Sequence, residues 1–327
     1  MNLHSNKNLF EEAIRTTSNH FGIPEIYIEK DYWVTKALKA IFESEIGDEA
    51  VFKGGTSLSK CFGMIERFSE DIDIVVTRKE GETDNQMKKK IKLITKVVSE
   101  MIPEVEHTGI THKRGQIRKT AHEYLKSFRG AYGQVREHII LEASWLGNSE
   151  PFTEVFLGSM IGEMMQATGN AHLVKAYEME KFEVRALHPN RTFCEKIMSL
   201  VRFSYSEHPI RDLGNKIRHV YDLAMMLKQP EVEVFFESFD FDTVLKRVAN
   251  DDRRSFRDRG AWIDFHPAQA MIFADSMQVW HSISKTYRKS FSDLVFGELP
   301  DEAQMLTTLQ QIFLRISKVS WVNSMAS

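Results

Sequence analysis

Two aspartates separated by one residue, Asp71 and Asp73 in SEDIDIVV, open a β-branched run that reads as a strand. On an extended chain the side chains at i and i+2 leave the same face, so the pair can grip one or two hard cations. That arrangement suits two-metal phosphoryl chemistry, in which one ion activates an attacking hydroxyl and the other neutralises a triphosphate. Upstream, FKGGTSLSK sets Gly54 and Gly55 ahead of a segment with helical spacing. Glycines at that point let backbone approach phosphate closely, and Thr56 and Ser57 add hydroxyls and amides at the positive end of a helix. With Ser69 just before the acidic pair, the expected nucleotide-binding set is Gly54, Gly55, Thr56, Ser57 and Ser69. Alone, a DxD is commonly a solvated strand end and a GG a plain turn; the specific signal is their conjunction around one helix.

A third carboxylate would complete a polymerase-like metal set with Asp71 and Asp73. Glu142 is the candidate, because it sits near the end of IILEASW, an otherwise apolar strand; the alternative is a surface glutamate at a strand end. Residues 112 to 138 carry Lys113, Arg114, Arg118, Lys119, Lys126, Arg129 and Arg136 against Glu123 and Glu137, with Tyr124, Phe128 and Tyr132 interleaved. Such a surface could hold an RNA backbone, and Arg118, Lys119 and Arg129 are its candidate contacts; ordinary solvated charge is the competing explanation. A second cluster, Arg253, Arg254, Arg257 and Arg259, is diluted by Asp251, Asp252 and Asp258 and reads as an internally paired loop. The histidines form neither HExxH nor a convincing ligand pair, and neither a GxSxG elbow nor a Walker lysine motif occurs.

The elements that must position these groups follow from periodicity. Residues 8 to 20 and 25 to 42 read as helices, the second with Ile28, Tyr32, Thr35, Leu38, Lys39 and Phe42 near one face. EAVFK reads as a strand running into the glycine turn. Residues 84 to 101 form an amphipathic helix with the stripe Ile91, Ile94, Val98 and Met101, its lysines Lys88, Lys89, Lys90, Lys92 and Lys96 largely solvated. Beyond about residue 155 the chain is mainly helical, interrupted by FEVRAL, which is either one more strand or an extended lead into the next helix. Thr192 and Glu195 fit a capping box, with Phe193, Ile197, Leu200, Val201 and Ser204 tracing one face. RHVYDLAMML is apolar on nearly every side and should be buried all round.

Length and composition set outer bounds. At 327 residues two domains are expected, and 42% hydrophobic with 27% charged residues is ordinary globular composition. No stretch approaches the length of a membrane span, and MNLHSNKNLFEEAIRTT lacks the basic start and apolar core of a secretory signal, so no membrane association and a cytoplasmic location are expected. Cys61 and Cys194 support neither a disulfide framework nor a cysteine zinc site and read as small core residues. A net charge of -3 excludes a globally basic nucleic-acid binder and leaves room for a local patch.

Four segments, IEKDYWVTKAL at 28 to 38, FKGGTSLSK with RFSEDIDIV at 52 to 75, TFCEKIMSLVR at 192 to 202, and RHVYDLAMML at 218 to 227, together resemble the nucleotidyltransferase toxins of the AbiEii/AbiGii type. These belong to the DNA polymerase β-like superfamily. The resemblance implies an α+β fold, a small mixed β-sheet flanked by helices and followed by a mainly helical C-terminal domain. The expected division is a catalytic domain over residues 1–155 and a helical domain over 156–327 that completes the active site. It further implies nucleotide transfer from an NTP with Mg2+ (or Mn2+), an acceptor that is tRNA or another RNA, a cognate antitoxin, and a role in phage defence. Lys196 and Asp222 match positions that the resemblance marks as functional. Independently, Lys196 borders the apolar stripe of its helix, and Asp222 lies on a helix with no polar face, where a carboxylate must be paired. A structural salt bridge from Asp222 to Arg218 is the plainer alternative. Two rivals for the whole chain remain open: an enzyme that modifies protein hydroxyls, and a catalytically silent module that binds RNA or antitoxin.

Overall fold

Period-two burial shapes the central sheet. In the strand after the acidic pair, Ile72, Ile74 and Val76 are buried on one face, which leaves Asp73 on the other. The computed structural model describes residues 1–69, 71–113, 115–130, 136–147, 149–256 and 260–321. In chain order the first part comprises α1 (Lys7–Phe21), α2 (Glu25–Phe42), β1 (Ala50–Lys53), α3 (Gly54–Lys60), β2 (Ile72–Val76), α4 (Asp84–Ser99), β3 (Glu104–Val105), β4 (Ile117–His122), β5 (Ile139–Ser144), β6 (Phe152–Leu157), α5 (Met160–Ala167), α6 (Ala171–Ala176) and β7 (Phe182–Leu187). The second comprises α7 (Pro189–Ser204), α8 (Pro209–Asn215), α9 (Ile217–Leu227), α10 (Pro230–Glu237), α11 (Phe239–Phe256), α12 (Met271–Ala274), α13 (Ser276–Thr286) and α14 (Glu302–Ile316). This is an α+β fold, as the sequence implies.

Among the described residues the strands form one sheet in the order β3-β4-β5-β2-β1-β7-β6. The sheet is mixed: β1 runs antiparallel to β2 and parallel to β7, while β2 runs parallel to β5. FEVRAL is therefore a strand, β7, and β6 pairs with it along its whole length. The chain divides into two compact units. Met1–Gly63 with Arg67–Leu187 make the first unit, and Met64–Glu66 with His188–Ser327 the second.

Helix α4 lies on β2, β4 and β5, burying Met87, Ile91, Ile94 and Val98, with Thr83 and Gln86 closing a capping box at its start. Met101 lies beyond its last turn. Of its lysines, Lys90 departs from the solvated expectation, since it is largely buried between Glu49 and Glu82. In the second unit α7 starts at Pro189 with His188 as its cap, three residues before Thr192. Thr192 and Glu195 therefore form no capping box, and Glu195 pairs instead with Arg191 at 3.2 Å. Helix α9 is buried on almost every side, from Val220 through Met226.

Helix α2 is the frame of the first unit. It was expected to bury one face, yet Ile26 through Thr35 are all buried, including the consecutive charges Glu29, Lys30 and Asp31. Each charge is captured by a different distant segment. Glu29 accepts the backbone N–H groups of Ser127 at 2.7 Å and Phe128 at 3.1 Å. Lys30 donates to the carbonyls of Arg136 and His138. Asp31 pairs with Lys60 at the end of α3 and accepts the Met160 N–H at 2.8 Å, at the start of α5. Removing one member of a buried pair strands the other, so Asp31→Ala should cost about 3–5 kcal/mol. Urea unfolding with intrinsic tryptophan fluorescence checks this; a midpoint unchanged from wild type would show the pair to be inessential.

Candidate active site

The sheet register aligns a row of charge that the linear sequence hides. Lys53 of β1 stands opposite Asp73 of β2, Asp73 opposite Glu142 of β5, and Glu142 opposite Lys119 of β4. Directly opposed residues share a face and lie one strand apart, so the row reads lysine, aspartate, glutamate, lysine across four strands. Asp71 lies one residue before β2, two positions from Asp73. At the outer end, Lys119 Nζ is 3.1 Å from Glu142 Oε2. The Asp71 carboxylate faces Arg136, whose Nη1 is 3.3 Å and 3.4 Å from its two oxygens.

The two central acids repel each other, and this contributes to the protonation of Asp73. Withdrawal from solvent, then the charges of Glu142 and Asp71, push the Asp73 carboxyl up to about 7, opposed by the weaker pull of Lys53 and Lys119. A divalent cation would relieve such a cluster, and the oxygen donors of Asp71, Asp73 and Glu142 are of the type that suits Mg2+ or Mn2+. Among the described residues, however, no three His, Cys, Asp or Glu side chains are gathered closely enough to hold a metal ion. Asp71 is engaged with Arg136 and Glu142 with Lys119, so the carboxylates must turn from these partners to share an ion.

The glycine turn is built against this row. Gly54 has φ +82° and its missing Cβ would collide with Asp73 Oδ2, so only glycine allows both the left-handed backbone and the close carboxylate. A Cβ on Gly55 would lie 2.5 Å from Nη2 of Arg67, a buried residue, and 3.1 Å from Ser69 Oγ. Thr56 and Ser57 turn inward. The Thr56 hydroxyl donates to the Asp71 carbonyl at 2.7 Å and lies 3.0 Å from Ser69 Oγ, tying the turn to the acidic loop. Ser57 is buried next to Cys61, whose thiol is pushed up to about 12 by burial. What the turn leaves for a ligand is backbone, together with the half-buried Ser69. Cys194 is fully buried, in keeping with a core role.

Lys196 and Asp222 belong to the second unit, on α7 and α9. They form a buried ion pair at 2.6 Å. The basic stretch does not present one surface. Arg118 and Lys119 are neighbours on β4 and leave opposite faces, Arg118 Nε donating to Thr95 on α4 at 2.9 Å and Lys119 joining the charge row. Lys113 pairs with Glu104, and Lys126 with Glu137 at 3.2 Å. Tyr124 is buried and stacks on Trp33, and Phe128 lies under Arg15. Arg129 is exposed with no ion-pair partner among the described residues; Arg114 and Tyr132 lie outside them. In the second cluster Arg253 pairs with Asp264 at 2.8 Å and Asp251 with Arg191 at 2.7 Å, within and beside α11, while 257–259 lie outside the described residues. Lys53, Arg67 and the contact of Arg136 with Asp71 were not found by sequence reasoning. Lys53 adjoins the glycines, and only the β1–β2 register gives it meaning.

Residues 36–313 match the family described as "Nucleotidyl transferase AbiEii toxin, Type IV TA system". The fold is similar to that of MenT4, a nucleotidyltransferase toxin from Mycobacterium tuberculosis H37Rv, with a TM-score of 0.56 and 17% identity over 94% of this chain and 90% of that one. No curated protein matches the sequence.

Because the folded state raises the Asp73 carboxyl above its ordinary value near 3.8, it binds a proton that the unfolded chain releases. The resulting stabilisation is complete below about pH 4 and is lost as pH rises through about 7, with a slope of at most about 1.4 kcal/mol per pH unit for one proton. Urea midpoints between pH 5 and pH 8 in EDTA should therefore fall, and Asp73→Asn should flatten that fall. An equally steep profile in the variant would assign the proton elsewhere.

Proposed function

We propose, from the premise that the chain belongs to the AbiEii nucleotidyl transferase toxin family, that it transfers a nucleotide from an NTP to a hydroxyl of an RNA acceptor, tRNA first among the acceptors. The observation that carries this reading is the register that sets Asp73 opposite Glu142, with Asp71 two positions before it, beside a turn where Gly54 admits the Asp73 carboxylate against backbone. Asp71, Asp73 and Glu142 would hold Mg2+ or Mn2+, which supplies activation of the acceptor hydroxyl and neutralisation of triphosphate charge. Lys53 and Lys119 flank these acids and limit their mutual repulsion. Backbone at Gly54 and Gly55, with Ser69, meets the phosphates. Lys196 and Asp222 act in transfer as a charged pair, the aspartate orienting the lysine. Arg129, exposed and without an ion partner among the described residues, is the strongest remaining candidate for contact with the acceptor. The same reading makes the chain the toxin of a toxin–antitoxin pair, acting in the cytoplasm and in phage defence, with a cognate antitoxin that counters it. No helix among the described residues is long and apolar enough to cross a membrane.

Incubation with each labelled NTP, Mg2+ and total RNA, followed by separation of RNA from protein, tests the reaction. Label in RNA is expected; label confined to protein would replace this reading with modification of protein hydroxyls. Asp71→Ala and Asp73→Ala should abolish transfer without loss of fold, since each removes a carboxylate rather than an apolar side chain of the core. Retention of wild-type turnover by either would remove the metal assignment.

Lys196→Ala and Asp222→Ala should each lower transfer at least about a hundredfold, the scale of one positioned charge-stabilising group. Because the pair is buried, either variant should also lose about 3–5 kcal/mol of stability by stranding its partner. Turnover is therefore measured well below each variant's melting temperature. Full transfer by a folded, destabilised Lys196→Ala protein would leave the pair a structural role only.

A further inference from the structure

We propose that Arg136 is an exchangeable counter-ion of the carboxylate row: it holds Asp71 until a divalent cation takes that carboxylate, and then binds the triphosphate. The inference rests on the metal and NTP reading above. The Arg136–Asp71 contact is a loose one. Its distances of 3.3 Å and 3.4 Å exceed the roughly 2.7–2.9 Å of a tight charge-assisted bond, and the arginine side chain is 45% exposed. An exposed ion pair of this kind contributes little net stability and is readily exchanged.

The root of the arginine, by contrast, is fixed. Lys30, fully buried on α2, donates to the carbonyls of Arg136 and His138, so the backbone is clamped while the guanidinium stays at the surface. One guanidinium nitrogen within reach of both Asp71 oxygens occupies the lone pairs that a cation requires. Cation and arginine therefore compete for the same carboxylate. When displaced, the guanidinium is already beside the phosphate-facing turn, because the Thr56 hydroxyl ties the first turn of α3 to the Asp71 carbonyl at 2.7 Å. Its planar fork of donors matches the non-bridging oxygens of a phosphate. The exchange moves no proton and breaks no covalent bond; one anion, a carboxylate, is traded for another. Arg136 accordingly opposes cation binding in the empty site and favours the cation-bound nucleotide, which ties occupancy by metal to occupancy by NTP.

Opposite signs in one variant are the signature. In Arg136→Gln, Mn2+ binding to nucleotide-free protein, read by electron paramagnetic resonance, should tighten about two- to fivefold, the worth of one exposed ion pair. Affinity for a non-hydrolysable NTP with Mg2+ should weaken at least about tenfold, the scale of lost charge-assisted hydrogen bonds. Arg136→Lys keeps the charge and loses the fork, so its Mn2+ affinity should stay near wild type while its nucleotide affinity falls between the two. Both affinities moving in the same direction in Arg136→Gln, or neither moving, would overturn the proposal while leaving the metal site intact. Wild-type protein that binds no Mn2+ would overturn the metal reading and this inference with it.

Discussion

Burial of charge on α2 is the constraint on which the first unit depends. A buried ionised group must be paired or hydrogen-bonded, or its desolvation outweighs everything gained by packing around it. Glu29, Lys30 and Asp31 are consecutive, so on a helix they point in different directions, and each can be satisfied only by a different segment. The sequence thereby commits the chain to bring three segments to one helix: the 127–128 backbone, the carbonyls leading into β5, and the junction of α3 with the start of α5. Two of these matter for chemistry. Asp31 anchors Lys60 and so the helix that follows the glycine turn, and Lys30 anchors the backbone of the arginine that meets Asp71. Hydrophobic burial could hold these pieces together; the ionic contacts fix which piece goes where.

That rigid frame makes an unfavourable arrangement tolerable. Asp73 and Glu142 lie opposite each other on neighbouring parallel strands, where like charges destabilise the sheet. Lys53 and Lys119 flank the pair without cancelling it, since the Asp73 carboxyl remains raised to about 7. Gly54 brings backbone against the same carboxylate, closer than any side chain there would allow. Such a row stores electrostatic strain that a divalent cation would relieve.

Much of this frame was legible locally. The acidic pair, the glycine turn, α1, α2, α4 and the all-round burial of α9 follow from residue type and spacing over a dozen residues or fewer. What escaped was fixed by partners distant in sequence. IRKTAH stands out in sequence only as part of a basic stretch, through Arg118 and Lys119, and it is β4 because β5 supplies its pairing and α4 covers one face. FTEVFL is largely exposed and becomes β6 at a sheet edge only because β7 pairs with it. Lys53 has no meaning until β1 and β2 adopt their register. The Thr192–Glu195 pattern misled because Pro189, pre-set for the first turn of a helix, starts α7 earlier and leaves Glu195 to pair with Arg191.

The two charged constellations differ in a way that bears on function. In the second unit Lys196 and Asp222 neutralise one another within 2.6 Å, an arrangement that is self-consistent as structure. Its presence alone does not argue for stability, because a buried pair often contributes no more than well-packed apolar side chains of the same volume. The carboxylate row has no such internal balance. Replacing Asp73 by a neutral residue would remove repulsion at no cost in core packing, so stability alone gives the fold no reason to keep it. A local arrangement that works against the stability of its own sheet, on a frame that spends three buried charges to hold it rigid, is explained by what it binds rather than by what it holds together.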